Sequence, residues 1–459
     1  MEQRGQQNLN HTRNTHGPLS RATNGHKQSF TSTSRWVRIS LRAQNTQAVF
    51  SNLLTHVNVN SLKEAFKALD GKKALGVDGV SKKEYGNNLE ENLRNLESRI
   101  QKGTYRPSLK REILIPKANG KTRPIAIACF EDKLVDWVVG KILTQLYEPL
   151  FIRNSFGYRP NKSAEGAVKA CYYSLHKNRR PYVVEMDFSS FFNTIPHRKL
   201  MKILGQRITD RRFKGLIGRF LKGGLINQEG EILPSEVGTP QGSIMSPVLS
   251  NIYLNEMLDQ WFTKEISSYN NIIVRYADDA VFFFKKEDDA KKFMEKLRYR
   301  VNKFKLSLNE KKTHMITLKK MENNHFHFLG FAFYWGHQGS RRILKVKTQK
   351  EKLIKGIQEF YNWIKMIRNR LKLKEIWSIA KSKIRGHVNY YGYQMNAPKI
   401  NHFYQEAVRA LFKWLNRRSQ KRSYEWEGFN ERIKNSPLME ALDKLKLKNI
   451  GWNPYANTH

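Results

Sequence analysis

Cysteine and acidic residues are both scarce in this sequence. Only two cysteines occur in 459 residues, Cys129 and Cys171, and neither belongs to a Cys-x-x-Cys pair. That excludes a disulfide framework and a four-cysteine zinc site, and leaves both as small buried apolar residues. Acids are outnumbered, with 40 Asp+Glu against 82 Lys+Arg and a net charge of +42. Self-repulsion of that size is costly for a compact chain unless a polyanion offsets it. Nucleic acid is the expected partner, because cations on phosphates release counterions and supply sequence-independent affinity. Long apolar runs are missing too. Runs such as Ala280 to Phe284 are far too short to span a bilayer, and the polar start Met1-Glu2-Gln3-Arg4-Gly5 is no secretory signal. The expectation is a cytoplasmic, nucleoid-associated protein with no membrane partner.

What is present is a mixed pattern. Residues 1–34 are rich in Asn, Gln, Ser, Thr, Gly and His, and Glu2 is the only acid among the first 60 residues, which reads as a disordered basic leader. Helical spacing follows over 36–69 and 80–110, separated by a turn signal at Gly76-Val77-Asp78-Gly79. Alternating residues predict strands over 111–115 and 122–128 around Asn119-Gly120, a hairpin signal. Further helices are expected over 131–150, 198–222, 246–262 and 287–305, with strands at 182–188, 271–284 and 326–335. Without strict βαβ alternation this is an α+β arrangement. Beyond about residue 345 three basic helices are expected, near 349–371, 373–388 and 400–418, interleaved with aromatics such as Tyr361, Trp377, Tyr390 and Trp414.

Carboxylates stand out against this background. Asp278 and Asp279 are flanked by Ile272-Ile273-Val274 and Ala280-Val281-Phe282-Phe283-Phe284. A hairpin there puts two acids at one tip, where they repel unless a cation lies between them, and magnesium suits a hard oxygen ligand set. A second apolar strand, Val183-Val184-Glu185-Met186, ends on Asp187. Carboxylates from separate strands are what two-metal phosphoryl transfer requires.

Tyr276-Ala277-Asp278-Asp279 is similar to the Tyr-x-Asp-Asp signature of reverse transcriptases. Six ordered blocks widen the likeness: 76–80, Ile115-Pro116-Lys117 with Arg123-Pro124-Ile125, Ser155-Phe156-Gly157-Tyr158-Arg159-Pro160, Asp187-Phe188-Ser189-Ser190-Phe191-Phe192, Gly238-Thr239-Pro240-Gln241-Gly242-Ser243 and the Asp-Asp block. Together with later matches they resemble bacterial group II intron reverse transcriptase–maturases over roughly residues 60–435. The resemblance implies a right-hand polymerase fold, with fingers and an N-terminal extension over 35–170, a palm with an antiparallel sheet over 171–340, an α-helical thumb over 341–435 and a tail over 436–459.

It also implies an RNA-directed DNA polymerase that binds intron RNA, assists splicing and copies the intron into target DNA during retrohoming, using an RNA template, a DNA primer and dNTPs. Asp187, Asp278 and Asp279 would hold two magnesium ions. Lys117, Arg123, Phe188, Phe192, Gln241 and Lys312 would contact the nucleotide, with Phe192 set against the sugar to exclude a 2′-hydroxyl. Arg159, Arg385, Tyr390, Arg417, Arg418, Lys421 and Arg422 would contact RNA. Ser243 departs from the family, which places a second glycine there. Cysteine pairs of an HNH nuclease are lacking, so no endonuclease is expected. Two other readings stay open: a domesticated relative serving defence or DNA repair, and an RNA-binding maturase without polymerase activity.

Overall fold

The computed structural model describes residues 30–116, 122–176, 179–234, 236–240, 242–267, 270–418 and 425–434. Of the expected site residues, Lys117, Gln241, Lys421 and Arg422 lie outside these, as does the side chain of Arg123. So do residues 1–29 of the expected leader, the Asn119-Gly120 turn and the expected tail.

Helix Phe30–Ala43 opens the described chain, so residues 30–34 of the expected leader are helical. The helical text of 36–69 resolves into this helix, a short 3-10 turn at Leu53–His56 and helix Val59–Ala68, whose start carries a reciprocal Asn58–Ser61 capping box. Residues 80–110 give helices Lys82–Asn87 and Leu89–Lys102, the latter stopped by Gly103 at φ 77. Strands β1 (Lys110–Pro116) and β2 (Thr122–Ile127) pair antiparallel, with Ile115 opposite Arg123.

Helices Phe130–Tyr147 and Ala164–Leu175 lead to β3 (Tyr182–Met186). Helices His197–Gly205 and Arg211–Lys222 come next. Two short strands, β4 (Leu225–Ile226) and β5 (Ile232–Leu233), then extend the first sheet to the order β2-β1-β4-β5.

Helix Ser246–Leu254 continues through π-helical segments Asn255–Asp259 and Phe262–Ile266, further than the expected end at 262. Then come β6 (Ile272–Tyr276), β7 (Asp279–Phe284), helix Glu287–Lys303 and β8 (His314–Thr317). The central sheet has the order β6-β7-β3-β8, with β3 antiparallel to both neighbours. Its two faces explain the unbroken apolar text of β7. Ala280, Phe282 and Phe284 enter a core built on the N-terminal helices, whereas Val281 and Phe283 enter a second core with helix Ala164–Leu175. Side chains alternate across a strand, so a sheet covered on both faces has no polar positions to show.

A three-stranded sheet, β9 (His325–Phe328), β10 (Phe331–Gln338) and β11 (Arg341–Thr348), covers the second core. β11 occupies the start of the expected all-helical unit, because Arg341 to Thr348 pair residue by residue with β10. Helices Lys350–Ile367, Leu373–Tyr391 and Ala397–Leu415 follow, close to the expected bounds, with Trp426–Lys434 after them. They enclose a separate core in which Ile376, Ala380, Ile384 and Val388 recur every fourth residue. Cys129 and Cys171 are buried free thiols.

Candidate active site

The three carboxylates meet where β3 and β7 end side by side. Met186 pairs with Ala280, so one step further Asp187 faces Asp279. Asp278 and Ala277 form the two-residue turn between β6 and β7, which closes on the Tyr276–Asp279 pair. Of these two only Ala277 has a positive φ, 56°, the pattern of a type II′ hairpin turn. An alanine there is strained, so surrounding structure must hold it.

Asp187 is closely attended. Lys312 Nζ lies 3.1 Å from its Oδ2, and Asn309 Nδ2 donates to the same oxygen at 3.1 Å. The Asp187 backbone is fastened by Asn309 N to its carbonyl at 2.8 Å, and Thr313 Oγ1 lies 3.3 Å from both its N and its O. Asp279 shows what crowding the acids does. Partial desolvation first, then the charges of Asp278 and Asp187, push its carboxyl up to about 7, with Lys312 and Lys352 pulling the other way. Its side chain still meets solvent at one side. Among the described residues no three His, Cys, Asp or Glu side chains close into a cage for a metal ion. Magnesium does not need one, since it commonly takes one or two carboxylates and completes its shell with water and substrate phosphates. Mutually repelling acids that open to solvent fit that demand.

The loop before helix Ser246–Leu254 is built against β2 and the segment after β3. Thr239 N donates to Phe192 O at 2.7 Å, Gly238 N donates to Ile195 O at 2.8 Å, and His197 Nε2 lies 2.6 Å from Gly238 O. Gly242 has φ 114, and a Cβ there would stand 2.4 Å from Ala126 O, so only glycine fits. A cavity of about 180 Å³ lies between this loop and β2, lined by Pro124, Ala126, Asn193, Thr239 and Pro240 among others. Ser243 is accommodated by a partner far away in sequence. Buried Asp136 accepts from Ser243 Oγ at 3.0 Å, Ile244 N at 2.7 Å and Met245 N at 2.9 Å, fastening the residues that lead into the helix. Burial pushes the Asp136 carboxyl up, and these three donors oppose it.

Several expected contact residues are placed differently. Arg159 is enclosed: it makes a bidentate pair with Glu148, donates to Ile152 O and Ser155 O, and is only 6% exposed at its side chain. With its guanidinium occupied inside the protein it braces a loop and is not open to RNA. Phe188 is buried against Phe191, centroids 5.2 Å apart, so its ring packs in the core. Phe192 is half-buried, edge-on to Phe191, and shares the loop contact described above. Tyr390 donates to Leu329 O at 3.0 Å and stacks on Phe331, so it ties the helical unit to the β9–β10 turn. Lys312 turns to Asp187, with its side chain still 68% exposed. Arg385 and Arg417 are exposed, Arg417 lying over Trp414, whereas Arg418 is half-buried and donates to Leu371 O. Sequence reasoning did not single out Asp136, His197, Asn309, Thr313 or Lys352. Asn309 and Thr313 belong to the same short block as Lys312, which was the available signal; Asp136 had none.

Residues 115–333 match the model of the reverse transcriptase (RNA-dependent DNA polymerase) family. That segment is a reverse transcriptase domain, and the chain as a whole is similar to group II intron-encoded proteins. Protein YkfC of Escherichia coli is 35% identical over 223 residues, covering 46% of this chain and 58% of YkfC. Group II intron-encoded protein LtrA of Lactococcus lactis is 28% identical over 453 residues, covering 80% of this chain and 74% of LtrA. A telomerase structure from Candida albicans, in complex with a fragment of telomeric RNA, superposes with a TM-score of 0.42 at 14% identity over 74% of this chain and 64% of that one. No helix among the described residues is long and apolar enough to cross a membrane.

Proposed function

We propose that this chain is an RNA-directed DNA polymerase encoded by a group II intron, which binds the intron RNA to assist splicing and copies it into DNA at a target site. The observation that carries the chemical part is the meeting of Asp187, Asp278 and Asp279 at the end of one sheet, close enough for the first two charges to raise the third carboxyl. Two magnesium ions held there would supply charge neutralisation at the transferring phosphate and activation of a primer 3′-hydroxyl. Asp187 and Asp279, on facing strand ends, and Asp278 at the turn tip would hold the ions. Asn309 and Thr313 hold Asp187 in place while Lys312 offers a cation to either the carboxylate or the departing phosphate.

Arg123, Lys117 and Gln241 belong to this reading as nucleotide contacts, supported by the cavity that β2 and residues 237–240 border. Phe192 is the ring set against the sugar. A net charge of +42 and the exposed Arg385 and Arg417 of the helical unit support binding of intron RNA and of the template–primer duplex.

Primer extension tests the reading. Wild type should extend oligo-dT on poly-rA with dTTP and magnesium, and Asp278→Ala should not, while binding RNA equally. Folded wild type that binds RNA but never extends a primer would overturn the polymerase reading.

A further inference from the structure

The turn that carries Asp278 and Asp279 rests on a buried ionic strut. Arg275 and Asp259 are both fully buried, with Arg275 Nε 2.8 Å from Asp259 Oδ1 and Nη2 2.5 Å from Oδ2. The remaining nitrogen, Nη1, donates to Asn251 Oδ1 at 2.9 Å and to the carbonyl of Ala277 at 2.8 Å. Asn251 in turn donates from Nδ2 to Gly157 O at 2.8 Å. Gly157 lies against the same turn, where a Cβ would stand 2.3 Å from Ala277 N. One guanidinium thus links a π-helical carboxylate, a helical amide, a close-packed glycine and the strained alanine beside both acids.

We infer that Arg275, Asp259 and Asn251 are positioning residues that set the Asp278–Asp279 turn for divalent cations. This rests on the polymerase reading for its consequence but not for its geometry. A buried ion pair contributes little net stability over a well-packed apolar pair, so a purely structural role leaves the charges unexplained. The planar guanidinium, by contrast, fixes three partners at once in directions no other side chain reproduces. The Ala277 carbonyl is one of them, and it sits one peptide before Asp278. The π-helical register of Asn255–Asp259 belongs to the same arrangement, since the segment ends on Asp259.

The test uses Asn251→Ala and Arg275→Lys in the full chain, with Asp278→Ala as reference. Extension should lose about tenfold to a hundredfold in kcat, with KM for dTTP changed less than about twofold, as expected for misplaced rather than missing groups. Binding of Mn2+ alone, followed by electron paramagnetic resonance, should weaken roughly threefold to tenfold in both variants, that is, by about 0.7–1.4 kcal/mol. Asn251→Ala should lose some thermal stability, because it strands Arg275 Nη1 and the Gly157 carbonyl, but should stay folded at the assay temperature with primer–template affinity near wild type. If Arg275→Lys does not fold, Asn251→Ala decides, because it keeps the ion pair. Wild-type kcat and wild-type Mn2+ affinity in folded Asn251→Ala would overturn the inference. Should wild type itself fail to extend, the polymerase reading falls, and Mn2+ affinity still decides the positioning role: weakened in the variants it stands, unchanged it fails.

Discussion

Thr239 donates its backbone N–H to the carbonyl of Phe192 at 2.7 Å, although 47 positions separate them. The bond joins the loop before helix Ser246–Leu254 to the segment that follows Asp187. It brings the aromatic ring expected beside the sugar to the same wall as the expected nucleotide loop. Replacing Phe192 with valine should therefore change selectivity more than rate. Single-nucleotide insertion should show ribonucleotide incorporation rising at least about tenfold relative to deoxyribonucleotide, the scale of roughly 1.4 kcal/mol in differential binding. An unchanged ratio would place the ring elsewhere.

Asp187→Asn keeps size and the hydrogen bond from Asn309 but removes the charge that Lys312 faces. Extension should fall by on the order of a thousandfold or more, the scale seen when a reaction loses its main electrostatic support. RNA affinity should not change, and gel-shift titration alongside extension checks both.

Asp136 accepts three hydrogen bonds at the base of the Gly238–Ser243 loop. Asp136→Ala leaves two backbone donors and a hydroxyl without their acceptor and should cost about 2–4 kcal/mol in chemical denaturation. Ser243→Gly, which restores the residue more usual in the family, removes one of these bonds and should cost about 1 kcal/mol.

Arg159 and Arg417 should separate cleanly. Arg159→Ala breaks the part-buried pair with Glu148 and should lower thermal stability, with the salt dependence of RNA binding unaltered. Arg417→Ala should leave stability alone and reduce the slope of log K against log salt by about one. Equal slopes for wild type and Arg417→Ala would remove Arg417 from the RNA interface.

His387 stacks on Phe403 with ring planes 6° apart, and burial pulls its pKa down to about 4. Its Nε2 has no hydrogen-bond partner among the described residues. The folded protein therefore resists protonation that the unfolded chain accepts near 6.5. Stability is full above that value and falls as pH drops towards 4, by about 2 kcal/mol between pH 7.5 and 5. Urea denaturation of His387→Phe should show a smaller loss over the same interval; an identical pH dependence would assign the effect to other groups.

Much of the molecule was legible beforehand because the signals were local. Periodicity located the three long C-terminal helices, and apolar strand ends located Asp187, Asp278 and Asp279, since strand and turn chemistry depend on neighbours a few positions away. Arg159 and Phe188 were assigned outward by the motifs they stand in, yet the fold turns them inward. Nothing in the text near residue 159 says whether Glu148 and two carbonyls will occupy its guanidinium. β11 is different: Leu344, Lys345, Val346 and Lys347 alternate as a strand should and its eight residues pair with β10, so its strand character was legible and was passed over for the helical text that follows.

By itself the sequence determined the class of chemistry, the identity of the acids and the order of the elements. The order of the elements and the strand-end places of the acids follow from spacing and nearest neighbours along the chain, and the class of chemistry from the resemblance that its ordered motifs carry. Only the tertiary structure decided which cations face solvent and which are consumed inside. It alone revealed that Asp136 holds the loop and that Arg275, Asp259 and Asn251 hold the turn. Those roles come from pairings between residues far apart in the chain, where burial makes an unpaired charge too costly to keep and closure of the whole fold selects the partner.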